Sequence, residues 1–396
     1  MRDMLEIWPE FPIIVTDGGR LTVEGVDNII SALELNDRVS RIRLANVSNP
    51  VLVERFEAAL QVPFPALADL ELSSSSSSVM APVISDSFLG GSAPLGLRYL
   101  GLNRILFPAL PNLLLSATGL GYLNIRNIPH SGYISPEAMV TCLAALTRLE
   151  GLYLGFQSPR SRPSRESRRR PPLTRTILPA LTRLSYKGVT EYLEDLVARI
   201  DTPLLEEIEI TFFNQLIFDI FRLPEFACRT EKFTRLDRAE VLLEANSIHV
   251  TLPLQTRTFD PTWLKLKISC RTLEWQLSSL AQVCSSCLTT LSTLEHLDIR
   301  EARPPPQDWQ DDIDNTQWLE LLQPFTTVKN LYLSKEVARR VVPALKELAG
   351  EQVTELLPAL QNLFLNGLQL SGPVEEAVGQ FVAARQLSGQ PLVIHH

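Results

Sequence analysis

The feature that most constrains the fold of this chain is a phrase that recurs. In residues 146–154, LTRLEGLYL, the apolar positions Leu149, Leu152 and Leu154 form L-x-x-L-x-L, with Arg148, Glu150, Gly151 and Tyr153 in between. A segment with period two reads as a short strand that buries one face and shows the other. Alone it would bury nothing, so the fold must place copies beside it. The sequence supplies them: LRYLGL at 97–102, LGYLNI at 120–125, LTRLSY at 181–186, LLEEIEI at 204–210, LSTLEHLDI at 291–299, FTTVKNLYL at 325–333 and LPALQNLFL at 357–365. Strand ends at Leu44, Leu72, Leu102, Ile125, Leu154, Tyr186 and Ile210 then repeat every ~23 to ~32 residues, a spacing that belongs to solenoid repeats.

Helical signals lie between the strands. Val26, Ile29, Ile30 and Leu33 share one helical face, and Asn49 with Pro50 is a cap and first position for VLVERFEAAL. Ser135 opens PEAMVTCLAAL, Thr190 opens EYLEDLVARI, and Ser334 opens KEVARRVVPALKELAG, with Gly350 as a stop. The unit is therefore strand, loop, helix, loop. Parallel strands joined by right-handed crossovers predict an α/β fold, a single right-handed solenoid over 1–396 with a curved parallel sheet on the concave face and helices on the convex face. Residues 1–20, with Trp8 and Phe11, are expected to cap its open end. The serine tract 73–78 reads as a flexible loop, and 157–176, QSPRSRPSRESRRRPPLTRT, as a disordered basic insertion. Between 233 and 270 the pattern is weak, and two strands are expected around Val241 and Ile268. A doubly wound sheet would call for continuous buried strands and a glycine-rich phosphate loop, and neither is found.

Charge and motifs narrow the chemistry. A net charge of -8 argues against generic nucleic-acid binding, although the serine-arginine steps at 161–168 keep open contact with RNA or a nuclear import receptor. No apolar run reaches the ~18 residues of a membrane span, and MRDMLEIWPEFPIIV lacks the pattern of a secretory signal, so no membrane association and a cytoplasmic or nuclear setting are expected. The five cysteines, including Cys284 and Cys287 in C-x-x-C, read as reduced core thiols. There is no G-x-S-x-G, P-loop or H-E-x-x-H. His130 reads as a loop histidine, the acidic run Asp308, Asp311, Asp312 and Asp314 as a solvated loop, and His395 and His396 as no metal site. Neither enzyme activity, cofactor nor metal is expected.

The segments VDNIISALELNDRVSRIRL, FPALADLEL, DSFLGGSAP, FPALPNLLLSATGL, IPHSGYISPEAMVTCLAALTRLEGLYLGFQSPRSRP and LPALQNLFL resemble the leucine-rich-repeat region of fungal F-box-like proteins. That resemblance implies repeats that recruit a substrate to a cullin-RING ubiquitin ligase, joined through an amino-terminal F-box to a Skp-type adaptor. No F-box is apparent in the chain, so the adaptor is expected as a partner only where one precedes it. A truncated or decoy member without a ligase role is the alternative.

Within the repeat, the inward leucines fix the outward positions. Arg43, Glu71, Asn124, Tyr153, Glu209, Asp298, Tyr332 and Phe364 fall on one outward row, with Tyr99, Tyr122, Arg126, Arg183, Glu207 and Arg300 on neighbouring rows. Tyrosine and arginine are frequent interface anchors, so these side chains are the candidate binding surface for a protein ligand on the concave face.

Overall fold

The structure, a computed structural model, describes residues 11–17, 23–45, 50–74, 81–163, 174–234, 236–253, 263–270, 272–288, 293–302, 315–347, 355–367 and 372–395. It is an α/β protein whose strands are mostly parallel. Contacts divide it into two compact units, Met1–Leu205 and Glu206–His396.

The first unit contains β1 (Ile13–Thr16), α1 (Val23–Leu33), β2 (Val39–Leu44), α2 (Pro50–Ala59), β3 (Asp69–Ser73), β4 (Tyr99–Asn103), α3 (Leu110–Ser116), β5 (Tyr122–Ile128), α4 (Pro136–Leu143), β6 (Gly151–Phe156), β7 (Thr176–Ile177), β8 (Arg183–Gly188), α5 (Thr190–Val197) and β9 (Ile200–Asp201). Strands β1 to β6 and then β8 pair in sequence order, each parallel to the last. β7 and β9 form a separate parallel pair.

The leucine pattern explains this register. Ile42, Leu70, Leu100, Leu123, Leu152 and Leu184 lie directly beside one another across six strands, and all are buried. Leu44, Leu72, Leu102, Ile125, Leu154 and Tyr186 form the next buried row. Each such side chain contributes roughly 1.5–3 kcal/mol when fully buried, and a slip of one residue would turn both rows to the opposite face. The first leucine of each phrase closes a turn just before its strand: Leu97, Leu120 and Leu149 donate their amides to the carbonyls of Pro94, Ala117 and Leu146.

Helix signals hold in part. Val26, Ile29 and Leu33 are buried on α1 while Ile30 is half-buried. Ser135 caps α4, its Oγ accepting from the Ala138 amide at 3.2 Å, with Pro136 at the first helical position. Thr190 opens α5 as its first helical residue, with Val189, in extended backbone, at the cap position. Asn49 and Gly350 lie outside the described residues, as do residues 1–10, the acidic run 308–314 and His396.

Both interrupting segments are ordered at their ends. Ser73 belongs to β3 and Ser74 is buried, its amide donating to the Asn103 carbonyl at 3.0 Å; residues 75–78 lie outside the description. The expectation of disorder over 157–176 is corrected where the structure describes it. The Gln157 amide donates to the Ile128 carbonyl at 2.9 Å, and Ser161 is only 1% exposed. Arg162 approaches Glu191 at 3.9 Å, and Thr176 sits in β7. A polar segment lacks a core of its own, but its two ends borrow hydrogen-bond partners from the neighbouring repeats, which composition cannot show.

The second unit contains β10 (Glu207–Phe213), α6 (Arg222–Cys228), β11 (Arg238–Glu244), β12 (Ser247–Pro253), β13 (Trp263–Ser269), α7 (Leu273–Leu288), β14 (His296–Glu301), α8 (Asn315–Leu322), β15 (Asn330–Ser334), α9 (Lys335–Glu347), β16 (Asn362–Asn366), α10 (Pro373–Leu387) and β17 (Val393–His395). Its spatial order is β10-β13-β12-β11-β14-β15-β16-β17. β12 runs antiparallel to both β11 and β13. The two expected strands around Val241 and Ile268 are β11 and β13, and the strand between them is additional. Ala245 and Asn246 alone connect β11 to β12, and a connection that short can only make an antiparallel hairpin. Further along, Arg385 of α10 is fully buried and its guanidinium donates to the Leu357 and Leu360 carbonyls, pinning the turn that enters β16. Cys284 is buried within α7, where burial pushes its thiol up; the Cys287 side chain lies outside the description.

Candidate interaction face

In the first unit the alternation of each strand places eight of the candidate residues on one sheet face. Arg43, Glu71, Gly101, Asn124, Tyr153 and Ser185 form one outward row, and Asp69, Tyr99, Tyr122, Gly151 and Arg183 the next. Arg126 faces Asn103 in a third.

The tyrosines lie where side chains are missing. A Cβ added at Gly101 would meet the Tyr99 ring at 2.9 Å and the Glu71 side chain at 3.2 Å. A Cβ at Gly151 would stand 2.6 Å from Tyr122 and 3.2 Å from Tyr153. Bare backbone at both positions lets the rings rest on the sheet. Polar contacts fix them further. Asn124 Nδ2 donates to the Tyr99 hydroxyl at 3.0 Å, and the Tyr122 hydroxyl donates to Glu150 Oε2 at 2.9 Å. The hydrogen bond to Glu150, followed by partial burial, raises the Tyr122 pKa above its ordinary value. The Arg126 guanidinium lies 5.5 Å from the centre of the Tyr153 ring, a cation–π arrangement. At the other side of the patch the charges are matched: Arg41 meets Asp69 at 2.9 Å and Arg43 meets Glu71 at 3.7 Å.

The second unit holds the remaining candidates in a different arrangement. Glu209, Lys265, Thr251, Glu240, Asp298, Tyr332, Phe364 and His395 follow one another across its strands. Lys265 meets Glu209 at 3.7 Å, Lys267 meets Glu244 at 2.9 Å and Arg238 meets Glu240 at 3.8 Å. Asp298 requires a correction. It was expected on the accessible face, yet it is 2% exposed, because Arg300 grips it in a bidentate pair, with Nε to Oδ1 at 2.8 Å, and Arg238 stands 4.0 Å away. The pair raises the Arg300 pKa, and Arg300 is what a visiting group would meet. Tyr332 and Phe364 are stacked with centroids 4.3 Å apart, Phe364 and His395 likewise, and His296 stacks on Tyr332 at 6.3 Å. These rings cover one another's faces and present edges. Asn362 Nδ2 donates to Asn330 Oδ1 at 2.8 Å in the adjoining row.

Alternation alone did not single out His249. It lies on the outward side of β12 opposite Lys267, yet is only 7% exposed, and its Nδ1 has no hydrogen-bond partner. Burial and the nearby Lys265 lower its pKa to about 4.

The structure also brings a hydroxyl to His130 that no motif announced: Ser161 Oγ is 3.5 Å from Nδ1. That distance is long for activation, and a serine 1% exposed offers no approach to a substrate carbonyl, so the pair anchors the insertion. Beneath β2 and β3 an apolar cavity of about 30 Å³, lined in part by Leu44, Phe56, Leu72, Ile84 and Phe88, has room for little more than one water. Among the described residues no group of three or more His, Cys, Asp or Glu side chains is placed to hold a metal, and no helix is long and apolar enough to cross a membrane. Compared with known proteins, the chain matches no family model and no curated protein.

Proposed function

We propose that this chain is a protein-interaction scaffold, a right-handed leucine-rich-repeat solenoid whose concave face receives a protein ligand, in the role that its resemblance implies for the substrate-recruiting repeats of F-box-type receptors. The reading makes it a binder rather than an enzyme. One observation carries it: the outward positions of β4, β5 and β6 hold three tyrosines, two asparagines, three glycines and one arginine, with the rings seated on bare backbone. Tyrosine supplies large contact area at small conformational cost, while asparagine and glycine adapt to the partner, a composition shared with evolved binding surfaces.

The test is a paired substitution, Tyr122→Ala with Tyr153→Ala, followed by proximity labelling in cells against the unaltered chain. Both residues are half-buried on the sheet surface, so the fold should persist by circular dichroism. Loss of a discrete set of labelled proteins is expected, and an unchanged set would sink the assignment of this face.

A further inference from the structure

We infer that the patch formed by β4, β5 and β6 takes an extended acidic segment of its partner, with an aspartate or glutamate carboxylate received by Arg126; this rests on the interaction-face reading above. Arg126 is the only formal charge on the outward positions of these three strands. Its guanidinium is held over the Tyr153 ring at 5.5 Å and forms no ion pair with the described residues. Six cations elsewhere on the outward faces, Arg41, Arg43, Lys265, Lys267, Arg238 and Arg300, each have a carboxylate within 4.0 Å.

Access and charge number define the ligand. Arg126 stands opposite Asn103 on β4, and on the β6 side its neighbour is Gly155, where an added Cβ would be 3.8 Å from the Arg126 Cα. Between these small neighbours, and with Lys187 beyond Gly155, the Arg126 side chain is exposed. An arginine held on an aromatic ring offers a preformed planar fork, which matches a carboxylate in two parallel hydrogen bonds. Phosphorylated segments usually gather several cations, and β4 to β6 supply one, so a carboxylate fits better. The Tyr99 and Tyr122 rings, paired with each other two rows before Arg126, provide contact for apolar side chains to one side of the acid. The chain's net charge of -8 works against a generally attractive field for acids, so any acidic preference must be local.

Random linear peptides displayed on phage, selected against the full chain, test this directly. Selected sequences should be rich in Asp and Glu next to apolar or aromatic residues. Synthetic copies with each Asp and Glu changed to Asn or Gln should bind about tenfold more weakly. Arg126→Gln should erase that difference, and Arg126→Glu should redirect selection toward Lys and Arg. Both variants alter an exposed side chain, so the thermal transition should stay in place. Peptides that need Tyr122 and Tyr153 but show no acidic preference, or whose preference survives Arg126→Gln, would overturn the acidic-ligand inference and leave the interaction face standing. Recovery of no peptide that depends on those tyrosines would overturn both.

Discussion

The sheet faces of the two units are built on the same alternation and solve opposite problems. In the second unit most of the outward side chains, His249 apart, satisfy one another. Glu209 with Lys265, Glu244 with Lys267 and Asp298 with Arg300 neutralise the charges, and Tyr332, Phe364 and His395 close their ring faces by stacking. In the first unit, from β4 to β6, the rings rest on Gly101 and Gly151 rather than on each other, and the one cation leans on a ring. A self-satisfied surface gains stability from its own contacts and has little left to offer. A surface whose rings and guanidinium are not closed by such pairing keeps those contacts to offer. Identical periodicity therefore says where a face is, and only the pairing of side chains across it says whether that face is finished.

The largest expected effect tests the finished face. Asp298→Asn removes the carboxylate that Arg300 and Arg238 share and should destabilise the second unit by about 1.5–3 kcal/mol, the range for hydrogen bonds to charged groups, measured by denaturant unfolding. A change under ~0.5 kcal/mol would show that the buried pair is no more than a surface contact.

A smaller effect, confined to acid, is expected from His249. Its folded pKa, about 4, lies below the ordinary 6.5, so the unfolded chain binds the extra proton first. Stability from the neutral imidazole is present above pH 6.5 and falls as pH drops from 6.5 toward 4. Lys265 and Lys267 oppose protonation, while Glu244 favours it. His249→Gln should flatten that part of the stability profile, and an unchanged slope would place the pH dependence elsewhere.

The smallest effect belongs to the first unit. Arg43 and Glu71 are 3.7 Å apart with side chains 47% and 43% exposed, so Glu71→Gln should shift stability by less than ~0.5 kcal/mol. A loss as large as that of Asp298→Asn would erase the distinction between the two faces.

Much of this was legible in the sequence because a buried strand position must be apolar. The phrases around Leu100, Leu123, Leu152, Leu331 and Leu363 located their strands, and alternation put Tyr99, Tyr122, Asn124, Arg126 and Tyr153 on one face. Direction was harder to read. In EVLLEANSIHVTLP period two continues through both arms of the β11–β12 hairpin, and the hint was the two-residue link ending in Asn246. Asp298 was misplaced because alternation assigns a side but not a cover, and its cover comes from Arg300 on its own strand and Arg238 on the next. The seating of Tyr122 on Gly151 could not be read locally either, since it depends on the register between β5 and β6.

The reversed order of strands in the second unit also bears on the timing of folding. In the first unit each strand finds its neighbour one repeat away, as Arg43 finds Glu71, so the ribosome delivers partners in the order in which they pair. β10 joins β13 only after the intervening hairpin has been synthesised and turned back, matching residue 207 to residue 263, while β11 waits for β14 to bring residue 238 to residue 296. Loop closure over such separations is slower than pairing next-door repeats. The hairpin of β11 and β12 closes over a two-residue link, so it is the most local pairing available to these strands while the later ones are made.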